Sequence, residues 1–135
     1  MGRTSCVILG ERESNRKGNE VSMDAPWDDR VALVTGGSRR IGRAIALAFA
    51  QKGASVVVHY GASRNEASSL VEELRASGVG AWMVHSDLSR PEEASGLISL
   101  AAEAAQAPID VLVNNASVFT ESRLDAFLLA DLAMN

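Results

Sequence analysis

The strongest chemical signal in the sequence is the run Thr35-Gly36-Gly37-Ser38-Arg39-Arg40-Ile41-Gly42. Glycines allow a tight turn and let a backbone approach a ligand closely. A helix opening at Arg40–Gly42 would aim unpaired N–H groups and the positive end of its dipole at an anion. Arg39 and Arg40 add cationic donors suited to phosphate oxygens. The chemistry this run suits is the holding of a pyrophosphate. Gly36, Ser38, Arg39, Arg40, Ile41 and Gly42 are therefore the first candidate ligand-binding residues. A plain strand-to-helix turn is the alternative reading.

A second signal is an absence. Dinucleotide sites that take NAD commonly place Asp or Glu after the second strand, where it binds the ribose hydroxyls. Here that stretch reads Val58-His59-Tyr60-Gly61-Ala62-Ser63-Arg64, with no carboxylate before Glu66. A carboxylate would repel a 2′-phosphate, whereas Ser63 and Arg64 would bind one. The expected cofactor is NADP(H), with Ser63 and Arg64 at its 2′-phosphate. The other reading of Arg64 is a solvated residue in a helix's first turn.

These residues need elements to position them, and the hydrophobic pattern supplies candidates. Val31–Val34, Val56–Val58, Ala81–Val84 and Val111–Val113 are short apolar runs that read as buried strands. Between them lie stripes at helical spacing. The first is Ile41, Ala44, Ile45, Ala48 and Phe49, stopped at Gly53. The second is Ala67, Leu70, Val71 and Leu74, stopped at Gly78. The third is Ala94, Leu97, Ile98, Ala101, Ala102 and Ala105. Ser63/Glu66 and Ser89/Glu92 read as capping boxes. A further helix is expected from Leu124 to Met134. Apolar strands alternating with amphipathic helices mean a parallel sheet covered on both faces. The expected fold is an α/β, Rossmann-type doubly wound sheet, holding its first four strands and the start of the next helix. Its ligand crevice should lie at the carboxyl ends of the strands.

Composition bounds the rest. The chain has 135 residues, 47% of them hydrophobic, a net charge of −4 and a pI near 5.1. That supports one domain with a core. The acidity argues against nucleic acid as a partner. No apolar run approaches the roughly 18 residues of a membrane span. The one cysteine, Cys6, excludes an internal disulfide framework or a cysteine metal cluster and suits a reducing cytoplasm. Residues 1–27 are expected to be a disordered tail, with Met23 as the start of translation and the folded part running over 28–135. A mass measurement of the native product tests that start.

The spaced motifs resemble the short-chain dehydrogenase/reductase family over roughly residues 30–119. Thr35, Gly36 and Gly42 fit its Thr-Gly-x-x-x-(small)-x-Gly, with Arg40 replacing the small residue. Asp87-Leu88 fits its pair after the third strand, and Asn114-Asn115-Ala116-Ser117 fits its Asn-Asn-Ala-Gly. Arg40, His59-Tyr60 and Asn115-Ala116-Ser117-Val118-Phe119 look like the pteridine reductase branch, which includes dihydromonapterin and dihydrofolate reductases. The 3-oxoacyl-carrier-protein reductases are near neighbours.

That resemblance implies roles. Asp87 and Leu88 would border the adenine. His59 and Tyr60 would lie at the cofactor's edge, and Asn115, Ala116 and Ser117 would line its ribose and nicotinamide side. Arg40, Ser117 and Phe119 would meet a small-molecule substrate of pterin or folate type, Phe119 by stacking. For Phe119 an ordinary apolar loop anchor is the other reading. Whole members of the family are often homo-oligomers. Their acid catalyst is the tyrosine of a Tyr-x-x-x-Lys motif, helped by a Ser or Asp. This sequence has one tyrosine, Tyr60, and two lysines, Lys17 and Lys52, so it contains no such motif. No catalytic residue and no metal ligand is therefore assigned. The sequence reads as the cofactor-binding half of the fold, expected to show little turnover alone. A non-catalytic nucleotide-binding or interaction module is the alternative.

Overall fold

Residues rich in valine pack well on a pleated surface buried on both sides, and four such runs form parallel strands. In the computed structural model, residues 26–117 are described, together with an N-terminal strand, β1 (Ser5–Ile8). The parallel strands are β2 (Val31–Val34), β3 (Ser55–Tyr60), β4 (Ala81–His85) and β5 (Val111–Asn114). Helices α1 (Arg40–Gln51), α2 (Arg64–Ala76) and α3 (Pro91–Ala105) connect them. The sheet order is β1-β5-β2-β3-β4. The chain adds β3 and β4 to one side of β2, then returns across the sheet to place β5 on the other side. The strand order thus reverses between β2 and β5, which is where a doubly wound fold opens its ligand crevice.

Alternate residues of each strand supply the two cores. Ala32, Val34, Val56 and Val58 face α1 and α2 and meet Ala46, Leu70, Val71 and Leu74. Leu33 and Val57 face α3 and meet Leu97 and Ala101. Asp110 is buried just before β5. Its Oδ2 accepts from the Val31 N–H at 2.8 Å, and its own N–H donates to Val31 O, which pins the register of β5 on β2.

Several expectations need correction. The stripe assigned to α1 is rotated. Ile41, Ala44 and Ala48 are exposed, and the helix instead seats Gly42 and Ala46 on the sheet, flanked by Ile45 and Phe49. Small residues there let the helix axis approach the strands closely. Ile98 of α3 is likewise exposed. Ser63 does stand at the N-cap of α2, but its side chain makes no capping bond. The cap of α3 is Arg90, followed by Pro91, rather than Ser89, whose hydroxyl is taken by Asp87. Proline suits a first helical position because it lacks the N–H that would be unpaired there.

The expected tail over residues 1–27 is also corrected in two places. Ser5–Ile8 pairs antiparallel with β5, Cys6 opposite Val113 and Val7 opposite Leu112. The physical reason is the outer edge of β5, whose free N–H and C=O groups accept any extended segment that can reach them. Trp27 is buried, stacks at a tilt on Phe49 with ring centroids 5.6 Å apart, and donates its backbone N–H to Lys52 O. Met23, Phe119 and the helix expected over Leu124–Met134 lie outside the described residues. No helix among the described residues is long and apolar enough to cross a membrane.

Candidate nucleotide-binding site

The carboxyl ends of β2 and β5 are tied together by one hydroxyl. Thr35 is buried, and its Oγ1 accepts from Asn115 N at 2.9 Å and Ala116 N at 3.0 Å while donating to Val113 O at 3.2 Å. The turn after Thr35 is thereby joined to the loop after β5.

Gly36 follows with φ of +59°, a left-handed conformation that favours glycine. A Cβ there would lie 3.0 Å from Ala116 Cα. Both halves of its backbone are held by side chains. His59 Nδ1 accepts from Gly36 N at 3.0 Å, and Asn115 Nδ2 donates to Gly36 O at 3.1 Å. Gly37 N donates to His59 O at 3.0 Å. Gly42, in the first turn of α1, packs against this turn so closely that a Cβ would strike Gly36 O and come within 2.6 Å of Asn115 Nδ2. The turn is thus a cradle of backbone fixed from β3 and from β5.

Arg40 opens α1 with φ of +53°. A side chain in that region costs roughly 1–2 kcal/mol. This is also the position where the motif carries a small residue, so the arginine stands there at a local conformational cost. Strain of this sort persists where the surrounding structure imposes it and tends to mark functional sites. Arg40→Gly is therefore expected to stabilise the fold by about 1 kcal/mol while weakening binding of a phosphorylated ligand roughly tenfold. Arg40→Ala should weaken binding equally with no gain in stability. Thermal melts and ligand titration of both variants check this.

The cations border a cleft of about 500 Å³ lined by Ser38, Arg39, Arg40, Arg43, Asn65, Glu66 and Ser69. Among the described residues, Arg39, Arg40 and Arg64 have no ion-pair partner, while Arg43 pairs with Glu73 of α2. Arg43 and Asn65 were not singled out from the sequence. Arg43 sits three residues beyond Arg40, one helical turn on the same face, and that spacing could have found it. Arg64 begins α2 but does not line the cleft, and Ser63 stands half-buried beside it. A larger cleft of about 700 Å³ involves Lys52, Gly53, Ser55 and Gly80, at the amino ends of β3 and β4, and so lies away from this site.

At the carboxyl end of β4 the loop is self-bonded. Asp87 Oδ1 accepts from Ser89 N at 3.0 Å and from Ser89 Oγ at 2.6 Å. These bonds hold its exposed carboxyl below the usual aspartate range, the Ser89 hydroxyl contributing most. Glu93 Oε2 accepts from Asp87 N at 2.7 Å, which with the Arg90 guanidinium lowers its pKa too. Leu88 is half-buried against the α3 core. Tyr60 is turned inward, its ring 5.4 Å from that of His85. Ala116 and Ser117 are exposed at the crevice, as is Ile41 on its other wall. Phe119 lies outside the described residues.

Comparison with known proteins agrees with this architecture. The short chain dehydrogenase family model matches residues 30–132. The chain belongs to the short-chain dehydrogenase family. Within that family it is 44% identical over 92 residues to an uncharacterized oxidoreductase of Methylorubrum extorquens, covering 68% of this chain and 37% of that one. It is 38% identical over 96 residues to a 3-oxoacyl-[acyl-carrier-protein] reductase of Staphylococcus epidermidis, covering 71% and 39%. The FolM alternative dihydrofolate reductase 1 of Brucella canis, solved with NADP, superposes with a TM-score of 0.68 at 36% identity over 77% of this chain and 41% of that one. The chain therefore spans about two fifths of the length of the curated relatives it matches.

Proposed function

We propose that the chain is the nucleotide-binding part of an NADPH-dependent oxidoreductase that passes hydride to a pterin- or dihydrofolate-like substrate. The observation that carries the cofactor reading is the cleft between the start of α1 and the first turns of α2, where Arg39, Arg40 and Arg43 outnumber the one carboxylate in its lining, Glu66. The residues present suit a dinucleotide. The Gly36–Gly42 cradle admits a pyrophosphate, and Ser38, Arg39 and Arg43 offer donors for a 2′-phosphate. Asp87 and Leu88 border an adenine pocket. Asn115, Ala116 and Ser117 line the crevice where a nicotinamide would extend. When bound, NADPH supplies the hydride. The chain's own residues hold phosphate charge, fix the turn and shape the crevice. The structure of the Brucella canis enzyme contains NADP, which supports the same reading.

The pterin class rests on Arg40 at the strained position and on Ser117 and Phe119 following Asn115. The Brucella canis likeness supports it. The Staphylococcus epidermidis relative favours a second reading, a 3-oxoacyl thioester as substrate. A titration separates these steps. The chain should bind NADPH at least tenfold more tightly than NADH, the worth of one or two charge-assisted contacts. Equal affinities would overturn the cofactor reading. With NADP bound, dihydrofolate should bind more tightly than an acetoacetyl thioester, and the reverse order would favour the second substrate class.

A further inference from the structure

We propose that His59 is a positioning residue, a neutral imidazole brace that holds the glycine turn and the adenine-side loop in register, so that its protonation releases the nucleotide. The proposal rests on the nucleotide reading given above.

The ring is almost fully buried, at 3% exposure, at the carboxyl end of β3. Its Nε2 lies 2.9 Å from Ser86 O, an atom that can only accept, so Nε2 carries the proton. Its Nδ1 lies 3.0 Å from Gly36 N, a group that can only donate, so Nδ1 must be bare. One tautomer satisfies both bonds, and that tautomer is neutral. The same side chain therefore spans the turn after β2 and the loop after β4, the two walls proposed for pyrophosphate and adenine. Ser86 is itself buried, and its N–H donates to Tyr60 O at 3.3 Å, which closes the loop against β3.

A proton on Nδ1 would face the Gly36 N–H donor to donor. Gly36 would then keep only its Asn115 bond. Burial, as the largest cause, lowers the His59 pKa, and His85 of β4 lowers it further, while the bond to Ser86 raises it. The net direction is down, so the brace is intact at neutral pH. His85 is the charged or titratable side chain that acts on the ring among the described residues, and the Asp87 carboxylate, in the loop after Ser86, is engaged by Ser89. The sign follows from the lowered pKa. An unfolded chain takes the proton first as pH falls below about 6.5. Stability contributed by the neutral ring is complete above that value and is lost as pH falls towards the folded-state pKa.

The experiment uses the full chain and two variants. His59→Asn places an untitratable acceptor near the Nδ1 position, and His59→Phe removes both bonds. NADPH affinity is measured from about pH 8 down to about pH 5.5. The 2′-phosphate of the cofactor titrates in all three proteins, so it cancels in their ratios. At the upper pH, Asn should bind within about threefold of the original and Phe more than tenfold more weakly. As pH falls through the titration of the ring, followed by its ¹⁵N shifts, the original should lose affinity relative to Asn. Parallel profiles for the original and Asn would overturn the brace. A ligand-free arm stands apart from the cofactor reading. The ring ¹⁵N spectrum should show Nε2 protonated and Nδ1 bare, and the Gly36 amide resonance should titrate with the ring. A protonated Nδ1 at neutral pH, or a Gly36 amide indifferent to pH, would also overturn it. Absent NADPH binding together with a titrating Gly36 would sink the nucleotide reading and leave the brace standing.

Discussion

Gly42→Ala is expected to abolish useful nucleotide binding, by more than a hundredfold, and to destabilise the chain by about 3 kcal/mol, the upper range for overpacking a closed site. The new methyl would enter the Gly36 carbonyl and stand 2.6 Å from Asn115 Nδ2 and 2.8 Å from Gly37 Cα. None of these is the loose end of a flexible side chain. The first two belong to the bond that clamps Gly36, and the third is backbone of the cradle. Either α1 lifts from the sheet, which uncovers Ala46, or the turn opens, which removes the phosphate-facing N–H groups. Gly61→Ala is the control. A Cβ at Gly61 meets nothing within 4 Å, so that change should leave melting temperature and NADPH affinity alone. Nearly unchanged binding in Gly42→Ala would mean that the cradle yields far more easily than its packing implies.

Thr35→Val should cost about 2–3 kcal/mol, because it keeps the shape and strips the acceptor from two backbone N–H groups at once. Those groups, Asn115 N and Ala116 N, have their bonds to the Thr35 hydroxyl at 2.9 and 3.0 Å. The loop after β5 would lose its tether to β2, and Ala116 would no longer be held against Gly36. Nucleotide affinity should fall with stability. Thr35→Ser restores the hydroxyl and should recover most of both. Denaturant titrations of the two variants give the comparison, and a valine variant as stable as the original would show that the hydroxyl does not tether the loop.

The parallel strands were legible in the sequence because each is a run of apolar residues bounded by turn-formers, and their parallel arrangement followed from alternation with helices. The crevice was legible for the same reason, since Thr35–Gly42 and Asn114–Ser117 sit at strand ends. The face of α1 was not. Ala44, Ala46 and Ala48 look alike to a periodicity argument, and the choice among them is made by Gly42, whose contact with Gly36 sets the rotation of the helix. The strand Ser5–Ile8 was missed because four residues between charged segments have no strong preference of their own. An open edge on β5 decides their conformation. The expectation that His59 lies at a cofactor's edge came from family likeness, and its bonds could not be read that way. Both partners are backbone groups, of Gly36 and Ser86, and a peptide group has no signature in a sequence. Arg64 was read from its position after β3, whereas the cleft is bordered by Arg39 and Arg40 and, one helical turn on, Arg43.

The bonds that finish the crevice also order events in time. Thr35 is joined to Val113, Asn115 and Ala116 across 78 to 81 positions of chain, and Asp110 to Val31 across 79. The β2–α1–β3 and β3–α2–β4 units bring together strands consecutive in the chain, and such contacts form early at small entropic cost. Closing a loop of about 80 residues comes later and more slowly. During synthesis on the ribosome, the glycine turn must therefore wait, with one wall standing, until residue 116 has emerged and β5 has slid in beside β2.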